Sequence, residues 1–189
     1  MIVVKLGGSL YCNIILQRWV DELVLLEQHT VVIVPGGGPF ADCVRTAAHD
    51  WPLAEEIAHP MAVLGMQQYA LMLAGLNNRI KILTSAEKLN DDRQTYVWCP
   101  FDDVTARCPY PKNWQTTSDS IALWLAGFIS AQTLCLIKSA PLDGKDPAEI
   151  INSDIVDAYF SSACHNFPGD IRFYHASQIT NFINDIANQ

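Results

Sequence analysis

Two short apolar runs, each ending directly in glycine, constrain this chain more than any other feature. Ile2 to Leu6 leads into Gly7-Gly8-Ser9, and Val31 to Val34 leads into Pro35-Gly36-Gly37-Gly38-Pro39. Uninterrupted apolar runs of this length read as strands buried on both faces, the pattern of a parallel sheet. Between them, Leu10 to Glu27 carries Leu10, Ile14, Leu16, Val20, Leu23, Val24 and Leu26 largely at helical spacing, with Ser9 as candidate N-cap. Ala41 to Ala48 predicts a second helix. A β-α-β-α order at the start of the chain requires a parallel pair joined by a right-handed crossover.

The same reading continues along the chain. Glu55 to Ala74 predicts helical structure, with Pro60 starting a new helix rather than interrupting one. Strands are expected over Ile80–Leu83, Thr95–Cys99, Thr133–Ile137 and Ile171–Tyr174. One helical turn is expected over Phe101–Ala106. Longer helices are expected from a cap at Thr117 or Ser118 through Gly127, over Val156–Ala163, and over Ser177–Ile186. Cys108 to Gln115 holds two prolines and an asparagine and reads as a loop, as does the polar stretch Lys138 to Pro147. The expectation is a single domain over residues 1–189, a three-layer α/β/α sandwich around a mainly parallel sheet.

Composition narrows the function classes. The net charge is −8, and the twelve Lys and Arg are scattered singly, which argues against a nucleic-acid surface. The longest apolar stretch, Ile121 to Ala131, covers about half of a membrane span. The N-terminal apolar run has no basic leader and breaks at Gly7, unlike a signal peptide. Six cysteines form no CxxC pair and several lie in apolar stretches, so reduced thiols in a cytoplasm are expected. The apolar fraction of 50%, with five tryptophans, points to buried subunit contacts and a homo-oligomer.

In open α/β sheets, ligands bind beyond the carboxyl ends of the strands. Three such ends carry unusual residues here. The first holds Lys5 followed by Gly7, Gly8 and Ser9. The second holds Gly36, Gly37 and Gly38. The third holds Lys138, with Asp143-Gly144 beyond it, and Ser118-Asp119 opens the helix before that strand. Glycine turns that open helices present backbone N–H groups to an anion, and the helix dipole favours its charge. Lysines beside them add point charges, and an aspartate can hold those lysines in place. This set suits phosphoryl transfer, which needs positioning and donors aimed at spreading charge. Each residue also has a plainer reading. Lys5 can be an edge-strand lysine, Asp119 a first-turn acid on a helix dipole, Asp143-Gly144 an ordinary turn, and the triple glycine a tight connection. Neither cluster is followed by GK[ST] and neither fits GxGxxG, which disfavours a P-loop and a dinucleotide cofactor.

"VVKLGGSL" followed by "VIVPGGGPFAD" resembles the amino acid kinase superfamily, from residue 1 to about 145. "MAVLGMQQYALMLA", "WQTTSDSIALWLA" and "LIKSAPLDG" are similar to the small kinases of methanofuran biosynthesis and their relatives in methylotrophs, as is "DIVDAYF" in the tail. The resemblance implies ATP-dependent phosphorylation of an aminomethyl-furan-methanol phosphate, with Mg²⁺ arriving on the nucleotide and bound mostly through phosphate and water. It implies that Lys5 contacts the transferring group and that Gly7, Gly8 and Ser9 face the ATP phosphates. Gly36, Gly37 and Gly38 would line the acceptor and the γ-phosphate. Asp119 would orient the lysines, with Ser118 beside it, and Lys138, Asp143 and Gly144 would lie on the nucleotide side. Met66 and Gln67 fall where the acceptor is expected. On the acceptor-side loop, Lys112 can meet a phosphate or carboxylate, and Trp114 can stack on a ring or anchor the loop in the core. Larger superfamily members have a long C-terminal nucleotide lobe. Here that lobe is reduced, and Gly169 is the only glycine after Gly144. Three readings stay open: this kinase, a kinase for another acceptor such as an amino acid or nucleotide, and a catalytically reduced binding or regulatory protein acting with a hetero-partner in C1-cofactor biosynthesis.

Overall fold

Strands β1 (Ile2–Leu6), β2 (Val31–Pro35), β3 (Lys81–Leu83), β4 (Thr95–Trp98), β5 (Thr133–Lys138) and β6 (Asp170–His175) build one sheet in the computed structural model, which describes residues 1–142 and 144–187. Every pairing is parallel, in the order β3-β4-β2-β1-β5-β6. The chain leaves β1 toward β2 and the β4/β3 edge, then returns to the other side of β1 for β5 and β6. The carboxyl end of β1 is therefore the topological switch point, where a crevice opens. All five residues of β1 are buried, as are all of β2 and β5, so the apolar runs are central strands. Lys5 is no edge lysine: its strand pairs on both sides, opposite Val34 and Leu136.

Strand periodicity decides where the lysines go. Successive side chains alternate between faces. Ile2, Val4 and Leu6 pack with helices α1 (Ile15–Leu23) and α8 (Ile179–Ala187). Val3 points the other way, into a second core with Leu134 and Leu136. Lys5 shares the Val3 parity and Lys138 the Leu136 parity, so both fall on the face covered by α5 (Ser118–Phe128). α3 (Glu55–Leu76) contributes to both cores, through Tyr69, Ala70 and Leu73 on one side and Val63 and Met66 on the other. The remaining helices are α2 (Gly38–Asp50), α4 (Phe101–Arg107), α6 (Pro147–Ile151) and α7 (Ala158–Ala163).

Several local expectations are corrected. Residues 10–27 are not one helix. Gly8–Cys12 form a 3₁₀ turn that drops Leu10 into the core, and α1 starts only at Ile15, where the Asn13 side chain accepts the Ile15 N–H at 3.0 Å. Ser9 is no helix cap; its hydroxyl meets that of Ser139 at 2.5 Å. Pro60 does not start a helix but lies inside the 22-residue α3. The carbonyl that loses its partner there belongs to Glu56, which is exposed, so the lost bond falls in solvent. The tail is structural: Phe182 is fully buried, meeting the Trp19 ring at 5.1 Å and the Tyr174 ring at 5.4 Å, and Trp19 donates to the Ala176 carbonyl at 2.8 Å. Phe182→Ala is expected to lower stability by about 3–5 kcal/mol in chemical denaturation, the cost of an emptied aromatic site.

Candidate active site

The site begins with three buried charges. Asp119 sits in the first turn of α5, 4% exposed, above β1 and β5. One carboxylate oxygen lies 2.7 Å from Lys5 Nζ and the other 2.5 Å from Lys138 Nζ. Lys5 is 4% exposed and Lys138 9%. Burial alone would raise the Asp119 pKa, but the two ammonium groups outweigh it and hold the carboxyl below its usual range. Lys138 is pushed down to about 8, first by burial and then by repulsion from Lys5, against the pull of Asp119. The trio carries one excess positive charge when all three are ionised. An unmatched buried cation is costly unless an anion joins it. Asp119 is thus more than a dipole acid.

Two glycine turns roof this trio. Gly7 donates its N–H to the Ile137 carbonyl at 3.2 Å, and Gly36 donates to the Leu6 carbonyl at 2.9 Å, so both tie the turns to the strands. A Cβ on Gly7 would stand 4.0 Å from Lys5 Nζ. The turns touch backbone to backbone: a Cβ on Gly8 would lie 2.4 Å from the Gly38 nitrogen, and one on Gly36 would lie 2.3 Å from the Gly8 nitrogen. Gly38 has φ +53°, a left-handed conformation that favours glycine. Gly144 has φ +69° in the loop after β5. Asp143 lies outside the described residues.

Beside the turns is a cleft of about 380 Å³. Gly8, Ser9, Gly37, Gly38, Met66, Trp114 and Ser118 are among the residues that line it. Gln67 and Lys112 are not among its lining residues. The Gln67 side chain accepts the Phe101 N–H at the start of α4, 3.2 Å, and Lys112 donates to the Thr105 carbonyl at 3.2 Å. Trp114 is half-buried at the cleft rather than sunk in the core, and the Arg45 guanidinium stands 5.2 Å above its ring. Arg45, Asp42, His59 and Thr116 line the cleft as well, and sequence reasoning missed all four. His59, Val63 and Met66 sit at i, i+4 and i+7, one helix face. That signal was hidden by ending a helix at Pro60.

A further residue shapes the site from afar. Thr117 is the N-cap of α5 but its own side chain caps nothing. The Asp157 carboxylate, 40 residues downstream, accepts from the Thr117 N–H at 2.9 Å, the Thr117 hydroxyl at 2.9 Å and the Ser120 N–H at 3.0 Å. It also accepts the Ser120 hydroxyl and, as N-cap of α7, the Phe160 N–H at 3.1 Å. It therefore fixes the helix turn that carries Asp119.

A switch-point crevice, buried cations and paired glycine turns make an α/β protein whose site suits an anion, with a cleft beside it. A profile of the amino acid kinase family matches residues 1–157, and the chain belongs to that family. It is 23% identical over 139 residues to [5-(aminomethyl)furan-3-yl]methyl phosphate kinase of Methanocaldococcus jannaschii, covering 72% of this chain and 64% of that relative's length. Uridylate kinase of Archaeoglobus fulgidus superposes with a TM-score of 0.72 at 16% identity, covering 100% of this chain and 96% of that one. The UMP kinase of Bacillus anthracis gives a TM-score of 0.72 at 14% identity, with 100% and 92% coverage. The two structural likenesses extend over the whole chain, so the three-layer α/β architecture is that of the family's fold.

Removing either end of the charge network has distinct expected outcomes. Asp119→Ala leaves two buried ammonium groups facing each other and should cost about 3–5 kcal/mol in denaturant titration. Asp157→Ala strips the α5 and α7 caps and should cost about 1–3 kcal/mol, with Asp157→Asn recovering part of it.

Proposed function

We propose that this protein is an ATP-dependent phosphotransferase that passes the γ-phosphoryl group to a small phosphate-bearing acceptor in the cleft. The observation that carries this reading is the Lys5–Asp119–Lys138 trio beneath two touching glycine turns, at the switch point of the sheet. The ammonium groups answer charge that spreads over the phosphoryl oxygens as the bond to its leaving oxygen lengthens. Asp119 holds both cations in place and, with its carboxyl held below its usual range, stays ionised instead of accepting a proton. The Gly38 and α2 terminus adds backbone N–H groups and dipole on the acceptor side. Mg²⁺ would come with the nucleotide, held mostly through phosphate and water, and the excess cation of the trio suits the anion it accompanies.

For the acceptor, the best-supported candidate is [5-(aminomethyl)furan-3-yl]methyl phosphate or a close analogue. The support is the relative named above and a cleft offering a half-buried tryptophan with an arginine on its face. We take the protein to work in a cytoplasm as a homo-oligomer, in keeping with its thiol content and apolar composition.

Incubation with Mg-ATP and that acceptor, followed by ³¹P NMR, tests the proposal. A diphosphate product that Lys138→Met abolishes is expected; ATP left intact by well-folded protein would sink the idea. The Lys138 pKa gives a second, independent mark. Its folded value of about 8 lies below the ordinary 10.5, so the free protein releases this proton at lower pH than an ordinary lysine would. Mg-ATP affinity in calorimetry should therefore be full below about pH 8 and fall by up to tenfold per pH unit above it. Lys138→Met should bind weakly with that dependence removed.

A further inference from the structure

Two cavities meet at one pair of side chains. The cleft beside the glycine turns has a neighbour, a hollow of about 350 Å³. Arg45, Trp114 and Thr117 line both, so they stand between the two. On one side of them the cleft runs to Gly38 and Met66. On the other the hollow runs to Ala48 and His49, and His49 is exposed. The partition itself is the Arg45 guanidinium over the Trp114 ring, 5.2 Å from the ring centre.

Each half of the partition is held from behind. Arg45 is braced by Asp42 at 2.5 Å. Trp114 sits in a loop that is pinned beside it: the Asn113 side chain accepts the Gln115 N–H at 3.0 Å, and the Gln115 carbonyl accepts the Tyr159 N–H at 3.0 Å. Asp157 fixes Thr117 through its N–H and its hydroxyl, both at 2.9 Å. The depth of the cleft up to this point follows from helix geometry. Gly38, Asp42 and Arg45 fall on one face of α2 and all line the cleft, so the helix runs along it. From residue 38, at the glycine turns, to residue 45, at the partition, the helix rises about 10 Å. A single ring with a one-carbon arm on either side fits that span. A second ring in line meets the Trp114 face.

Resting on the reading of this cleft as the acceptor site, we infer that the Arg45–Trp114 partition sets the length of the acceptor and confines it to phosphate monoesters built on one ring. The acceptor's phosphate must lie at the glycine turns to meet the transferring group, so its far end points along α2 toward the partition. A longer molecule has to part the guanidinium from the indole, against the Asp42 ion pair on one side and the pinned loop on the other. Removing either side chain joins the hollow to the cleft and gives the far end of a longer acceptor a way through. The selection is by exclusion: it acts through a clash with long molecules and not through an added contact to short ones.

The test compares [5-(aminomethyl)furan-3-yl]methyl phosphate with its N-benzyl derivative, which keeps both charges and adds a ring in line. Binding to the full chain is measured by calorimetry with Mg-ADP present. The parent should bind the compact compound at least about tenfold more tightly than the derivative. Trp114→Ala should raise the affinity of the derivative at least about tenfold, while the compact compound loses an apolar face and binds more weakly. Trp114→Phe, which keeps a ring at the partition, should hold most of the parent's ratio. Arg45→Ala should lower the ratio as well, and it carries the comparison should Trp114→Ala fail to fold by thermal melting, since the Arg45 side chain is half-exposed. Equal binding of the two compounds by the parent overturns the partition and leaves the kinase reading standing. A ratio unchanged in Trp114→Ala and Arg45→Ala does the same. Binding of neither compound, with Mg-ADP bound normally, overturns the acceptor assignment of the cleft and this inference with it.

Discussion

A single carboxylate between two buried ammonium groups organises this molecule. Asp119 cannot be removed without stranding Lys5 and Lys138 in an apolar core, whereas the loss of either lysine leaves a neutral pair. The placement follows from elementary geometry. Strand parity turns both lysines to the same face of adjacent strands, and α5 delivers an acid in its first turn above that face. The helix is held at that height by an acid from the tail, whose carboxylate collects donors from both Thr117 and Ser120. A net positive cluster in a chain of charge −8 is a local exception that the fold sustains by enclosing it.

The glycine turns solve a different problem, that of distance. Two backbones approach so closely that no Cβ fits at Gly8 or Gly36. Any side chain there would separate the two strand ends and widen the gap between the ammonium groups and the cleft. The tightness extends to the helices: a Cβ on Gly65 in α3 would lie 2.9 Å from the Ala41 nitrogen in α2. That short approach holds α2 and α3 together where both line the cleft.

The fold was largely legible because its signals are local. Buried parallel strands announce themselves as apolar runs, and glycine directly after a strand marks the sheet's carboxyl edge. The lysines and Asp119 were legible for the same reason, each lying at such an edge. What escaped depended on contacts between distant segments. Asp157 looks like any helix cap in sequence, and only the folded chain brings it to a second helix. Gln67 was placed by the family resemblance and Lys112 by its loop, but their side chains satisfy backbone groups of α4, which no local pattern announces. Arg45 was discounted as one scattered cation among twelve, although it lies two turns along the helix opened by the triple glycine. His59 was cut off from its helical face by a proline that costs little at a solvent-exposed turn.

The Ser9–Ser139 contact joins positions 130 residues apart across the mouth of the site. During synthesis, β1 and the first glycine turn leave the ribosome long before α5 and β5 exist. Until then Lys5 has no counter-charge, and the central strand has no neighbour on one side. A chain with its reactive centre split this way closes late, over a long loop, and folds slowly by comparison with helical bundles of equal size. The interval exposes an apolar strand edge, which is open to wrong pairing until β5 covers it. It also means that a product ending before α5 holds Lys5 without the carboxylate that neutralises it.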